Sequence, residues 1–71
     1  MLEFDRVGLI TSGEDQGIQV KICKAEIGSG YYVFMCEDFL DSSCNVGDHY
    51  FDSYEDIVES FVESNWVIQW L

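Results

Sequence analysis

The chain offers one stripe of helical period, and that stripe limits the folds open to it. Tyr54, Ile57, Val58, Phe61 and Val62 fall at i, i+3, i+4, i+7 and i+8, which places them on one side of a helix. A single amphipathic helix must bury its stripe against a different kind of layer, and a sheet with one open face is the economical partner. The helix ends are also marked. Ser53 followed three residues later by Asp56 fits a capping box, and Ser64-Asn65 supplies a stop.

The remaining sequence supplies strands. Residues 2 to 11, LEFDRVGLIT, are rich in β-formers, and Ser12-Gly13-Glu14-Asp15-Gln16-Gly17 has the composition of a hairpin connection. Ile18, Val20 and Ile22 then alternate with Gln19, Lys21 and Cys23, the period of a strand buried on one face. Ile27-Gly28-Ser29-Gly30-Tyr31 reads as a second turn, and YYVFMC is apolar on both faces, as a central strand would be. Residues 37 to 52, EDFLDSSCNVGDHYFD, show neither period and read as one long surface loop. Trp66-Val67-Ile68-Gln69-Trp70-Leu71 has strand composition. The expected fold is therefore α+β, a three-stranded antiparallel meander with one helix packed across it and a C-terminal strand, in the order β-β-β-α-β. With three strands before the helix, the last strand would run parallel to the first or third, and pairing with the first would cap an edge. No proline, repeat or linker divides the chain, so residues 1–71 read as one small domain.

Composition decides whether such a domain folds and what it can bind. A chain of 71 residues buries only about 60% of the surface it exposes unfolded, so most of its apolar residues are needed in the core. With 48% hydrophobic and 15% aromatic residues it has the means to collapse, unlike a disordered acidic tail. Fourteen acids against three Lys and Arg give a net charge of -11, which excludes direct binding to nucleic-acid phosphates and to anionic membranes. No apolar run approaches a membrane span, and Met-Leu-Glu-Phe-Asp is not the basic start of a secretory signal, so a cytoplasmic protein is expected. Three cysteines, Cys23, Cys36 and Cys44, without a CxxC pair suit reduced thiols better than a disulfide framework.

The acids are the feature furthest from ordinary composition. From Ala25 to Leu71 there are ten of them and no Lys or Arg. At about 100° per residue, Asp52, Glu55, Asp56, Glu59 and Glu63 fall within an arc of about 100° opposite the apolar stripe. Like charges at i±3 and i±4 destabilise a helix by about 0.2–0.5 kcal/mol per pair, and an ordinary surface intersperses lysines to avoid this. Their spacing along the axis, one charge per about 4 Å, is close to the ~3.4 Å per phosphate of a DNA strand. The stripe therefore reads either as a solvated face or as an imitation of phosphates offered to a basic partner. Glu37, Asp38, Asp41 and Asp48 extend the acidic field into the long segment, at spacings that match no calcium loop.

Cys36, Cys44 and His49 include zinc-binding residue types but lack ligand spacing, and an anionic setting disfavours a thiolate nucleophile. No metal or cofactor is expected. The second hairpin leaves room for Cys23 and Cys36 to come near one another, although a cytosolic setting argues against a bridge. Of the eleven aromatics, Trp66, Phe61, Phe34 and Tyr54 suit the core, and Trp70 at the terminus is the best candidate for an exposed anchor. Arg6, Lys21 and Lys24 are expected to pair locally with Glu3, Asp5 or Glu26.

In size, charge and aromatic content the chain resembles a loose class of small acidic inhibitors of nucleic-acid-handling proteins: phage anti-restriction and anti-CRISPR proteins and bacterial toxin-immunity proteins. That resemblance implies no particular target, and with the charge pattern it leads to a binding protein, not an enzyme, that occupies a basic nucleic-acid-binding surface of a protein partner, either as a DNA mimic or by another contact. Its binding residues would be Asp52, Glu55, Asp56, Glu59, Glu63, Glu37, Asp38, Asp41, Asp48 and Trp70. The alternative is a small structural domain that forms a homodimer through exposed aromatics and its terminal strand.

Overall fold

A computed structural model describes residues 2–71. Five strands form one sheet: β1 (Val7–Ile10), β2 (Gln19–Lys24), β3 (Tyr31–Cys36), β4 (Gly47–Phe51) and β5 (Ile68–Trp70), with helix α1 (Tyr54–Glu63) between the last two. Their order across the sheet is β4-β3-β2-β1-β5, and every neighbouring pair is antiparallel. The α+β class and the first two hairpins stand as expected from the sequence. The first strand is shorter than residues 2–11 suggest. Phe4 makes only an isolated bridge to Ile22, and Asp5 has φ 57 and donates its N–H to the Ile22 carbonyl at 2.8 Å, so regular pairing starts at Val7.

Two further expectations are corrected, and the second follows from the first. Residues 37–52 are not one loop, because Gly47–Phe51 pairs residue for residue with Met35–Tyr31. Four strands then precede the helix, the chain has reversed once more, and β5 runs antiparallel to β1, with Gly8 opposite Trp70 and Ile10 opposite Ile68. Pairing with β1 itself is as expected. β4 was hidden because Gly47, Asp48, His49 and Tyr50 are all exposed and show no apolar alternation. It forms because β3 has an edge of unpaired backbone groups to satisfy.

Register assigns the side chains to two faces. Ile22, Val33, Ile57 and Phe61 form the buried cluster between sheet and helix, flanked by Leu2, Tyr31, Met35, Phe51, Trp66, Ile68 and Trp70. Val7, Leu9, Lys21, Cys23, Tyr32, Phe34 and Tyr50 lie on the opposite face, which no helix covers. Phe34 is thus not a core residue, as its composition suggested. It stacks on Tyr32 at 6.0 Å, and Tyr32 meets Tyr50 edge-on at 5.3 Å.

Both helix ends follow their sequence signals. Ser53 has extended backbone angles, and its hydroxyl accepts the Asp56 N–H at 3.2 Å. At the other end Asn65 turns left-handed at φ 57, donating to the Val62 carbonyl at 3.0 Å while Trp66 N–H donates to Phe61 at 3.2 Å. That pair of bonds is a Schellman motif, and the Phe61–Trp66 ring contact at 4.9 Å is the apolar contact that accompanies it. The motif sets the direction in which the chain leaves for β5, and Trp66 Nε1 donates to Asp15 at 3.1 Å to tie that exit to the first hairpin turn.

Candidate partner-binding surface

The helix carries the acids it was expected to carry, with one correction. Glu55, Asp56, Glu59 and Glu63 lie on α1 and are exposed, whereas Asp52 precedes the Ser53 cap and stands outside the helix. Four charges spread over Glu55–Glu63 still give one per about 4 Å. Among the described residues the only ion pair is Arg6–Glu3 at 3.8 Å, so no Lys or Arg of this chain neutralises the stripe. Lys21 and Lys24, expected to pair locally, make no ion pair among the described residues.

Topology places other acids beside the helix terminus. The β1–β2 turn packs against the end of α1, where Glu14, Asp15, Glu63, Ser64 and Asn65 line one hollow. Ser12 Oγ donates to the Asn65 carbonyl at 3.1 Å and accepts the Val67 N–H at 3.2 Å, which holds turn and terminus together. Glu14 and Asp15 therefore continue the acidic face, although nothing in their local sequence distinguishes them from other turn residues. The β3–β4 loop leaves from the same end of the sheet, because Cys36 lies opposite Gln19 and Met35 opposite Gly47. It adds Glu37, Asp38 and Asp41.

Those loop acids are structural as well as charged. The Asp38 carboxylate accepts the Leu40 N–H at 3.0 Å, and Asp41 accepts both the N–H of Ser43 at 2.9 Å and its hydroxyl at 2.7 Å. The Ser43 bonds hold the Asp41 carboxyl below the usual aspartate range, since they favour its charged form. Phe39 N–H donates to the Gln19 side chain at 2.9 Å and anchors the loop to β2. Asp48 is separated from these acids. It sits on β4 opposite Phe34, on the uncovered face of the sheet.

The thiols are arranged differently from expectation. Cys23 lies opposite Tyr32 and Cys36 opposite Gln19, at opposite ends of the β2–β3 ladder, so those two cysteines do not approach. Cys36 instead meets Cys44 across the loop. All three cysteines are free, and burial pushes the Cys36 and Cys23 thiols up, which keeps them protonated at neutral pH. Among the described residues no three His, Cys, Asp or Glu side chains converge to hold a metal ion.

Trp70 is half-buried, not an exposed terminal anchor. Its ring lies over Gly8, where a Cβ would stand only 2.8 Å from the Trp70 ring and 2.5 Å from Ile68. Trp70 and Ile68 of β5 and Val58 and Val62 of the helix line one groove of about 370 Å³ together with Leu2, Tyr54, Phe61 and Trp66. Sequence reasoning missed this groove because its walls come from both chain termini and the helix. Compared with known family models, curated proteins and solved structures, the chain matches none. No helix among the described residues is long and apolar enough to cross a membrane.

Proposed function

We propose that the protein is an acidic binding protein that occupies a basic, nucleic-acid-binding surface of a protein partner, as small inhibitors of the anti-restriction, anti-CRISPR or toxin-immunity kind do. The observation that carries this reading is the exposed row Glu55, Asp56, Glu59 and Glu63, free of any basic neighbour and continued by Glu14 and Asp15 at its end. A row of like charges costs helix stability. Complementary charge on a partner offsets that cost and raises the association rate by about 10–10³-fold at low salt. Lys21, Lys24 and Arg6 do not interrupt the row, since they lie on β2 or just before β1.

The test is capture of partners from host lysate by the wild type and by Asp56→Lys with Glu59→Lys. The expected partner is held by the wild type only, is displaced by an excess of single-stranded oligonucleotide, and is released at about 1 M salt, where the Debye length falls to about 3 Å. Capture that is indifferent to the double substitution, or that oligonucleotide does not compete, would remove the reading.

A second reading, self-association, draws support from the uncovered face bearing Tyr32, Phe34 and the exposed Tyr50, and from β5 at a sheet edge. A net charge of -11 opposes it. Sedimentation at low salt separates the two, since a dimer at micromolar concentration favours the second.

A further inference from the structure

The groove between α1 and β5 and the acidic row on α1 share an edge. At about 100° per residue, Val62 lies only about 20° from Glu55 around the helix and Val58 about 60°, while Glu59 follows Val62 by about 60°. Glu55 is thus the i,i+3 neighbour of Val58, and Glu59 of Val62, on the helix surface beside the groove. Val62 is 68% exposed and Val58 36%, so the helix leaves this flank of its apolar stripe in solvent. Ile68 and Trp70 of β5, with Leu2 and Phe61, line the same groove. The volume, about 370 Å³, is enough for one large side chain.

We propose that this groove receives one large apolar side chain of a cationic segment of a protein partner, whose flanking Lys or Arg side chains meet Glu55 and Glu59. The inference rests on the acidic-binder reading and deepens it by naming the anchor and the chemistry of the segment. Charge complementarity selects the occupant. Apolar walls flanked by carboxylates that make no ion pair among the described residues suit a segment that is apolar at one position and basic beside it. A second copy of this chain would bring its own acids to the same edge. The uncovered face of the sheet does not match that chemistry, because Lys21 stands directly opposite Phe34 near its centre. In the groove the apolar side chain sets the lifetime of the complex, and the acidic row sets its rate of formation and its salt dependence.

The experiment uses short synthetic peptides of Lys, Arg and Gly with one central Phe, titrated into the full chain and followed by tryptophan fluorescence. Both Trp66 and Trp70 line the groove, so they report its occupation directly. Saturable binding is expected, weakened roughly tenfold or more when the peptide Phe becomes Ser, the fold-change carried by burial of a large apolar side chain. Val62→Asp is expected to lose as much, although it adds to the negative field, so a purely electrostatic contact predicts the opposite sign. Val62→Thr, nearly isosteric, gives the same direction and guards against a folding defect in the first variant.

Failure to saturate with the cationic Phe peptide at millimolar concentration overturns the proposal. So does equal affinity for a Phe peptide built on Glu in place of Lys and Arg, or a dimer that Val62→Asp dissolves. Should Val62→Asp bind like wild type while Asp56→Lys with Glu59→Lys loses the peptide, the groove inference fails and the acidic-binder reading stands. Should both variants bind like wild type, both fail.

Discussion

Glu59 is the point on α1 where like-charge repulsion concentrates, and replacing it with lysine should stabilise the protein. Glu55 lies four residues before it, Asp56 three before and Glu63 four after, and all of them are exposed. Each such pair costs about 0.2–0.5 kcal/mol, so removing three repulsions returns about 0.6–1.5 kcal/mol. Three attractive pairs of similar size replace them, with Glu55 ahead of the introduced lysine in the better orientation and Glu63 after it in the poorer. One ammonium cannot satisfy three carboxylates at once, so a net gain of about 1 kcal/mol is the working figure, equivalent to roughly 4–8 °C in a domain of this size. Glu59→Gln, which removes the three repulsions without adding attraction, should give most of that gain. Thermal unfolding followed by circular dichroism at ~0.1 M and ~1 M salt measures it, because the Debye length falls from about 10 Å to about 3 Å and the gain should largely disappear. A lower midpoint for Glu59→Lys, or a gain that ~1 M salt leaves intact, would show that the acidic row is not under electrostatic strain.

Substitutions at three other positions test particular features of the fold. Gly8→Ala places a Cβ 2.8 Å from the Trp70 ring, so β5 must shift; a loss of about 1–3 kcal/mol is expected, with exchange protection falling first at Ile68–Trp70. Asn65 holds the left-handed turn of the Schellman motif at φ 57, so Asn65→Gly should be neutral or stabilising and Asn65→Ala should cost about 1 kcal/mol in chemical denaturation. Asp41 carries a lowered folded pKa, so its contribution is complete above the unfolded value of about 3.9 and is lost as pH falls through the folded value below it. The Ser43 amide signal should therefore titrate with a midpoint under that of an unfolded aspartate, and Asp41→Asn should abolish the transition.

The parts of the fold that were legible in the sequence are those whose signals are local and agree with one another. Ser53, the Tyr54–Val62 stripe and Asn65 each specify the same helix, and the alternation through Ile18, Val20 and Ile22 specifies β2 without reference to anything distant. β4 could not be found that way, since Asp48 and His49 are poor strand formers with neither side chain buried. Its stability comes from β3, whose apolar character on both faces does signal a central strand and therefore requires a partner on each side. That requirement, applied to residues 37–52, is the one clue that pointed to β4. Missing one reversal changed the sense of β5, because direction in an antiparallel sheet is a count of strands. The acidic row was legible for the same reason as the helix, as its spacing is a property of nearby residues. The groove was not, since Leu2, Val62 and Trp70 become neighbours only after the sheet has closed around β1.

One helix on five strands leaves apolar surface that the fold itself cannot cover. Strands about 4.8 Å apart make this sheet roughly 24 Å wide, whereas a helix with its side chains measures about 10–12 Å across. The dimensions of the domain, 29 × 27 × 18 Å, are those of two layers in which the second is incomplete. α1 lies over Ile22 and Val33 and leaves the β5 flank to Leu2, Trp66 and Trp70, and no helix covers the face that bears Tyr32, Phe34 and the exposed Tyr50. A neutral protein with such surfaces would associate with itself, and its edge strands would assist. Charge opposes that outcome here: every copy carries -11, and Glu55 and Glu59 each stand three residues before a valine that lines the groove, Val58 and Val62. On the proposed reading, the same carboxylates that repel a second copy attract a cationic partner. Helix stability lost to repulsion and apolar area left in water are then two costs that one basic partner would offset together.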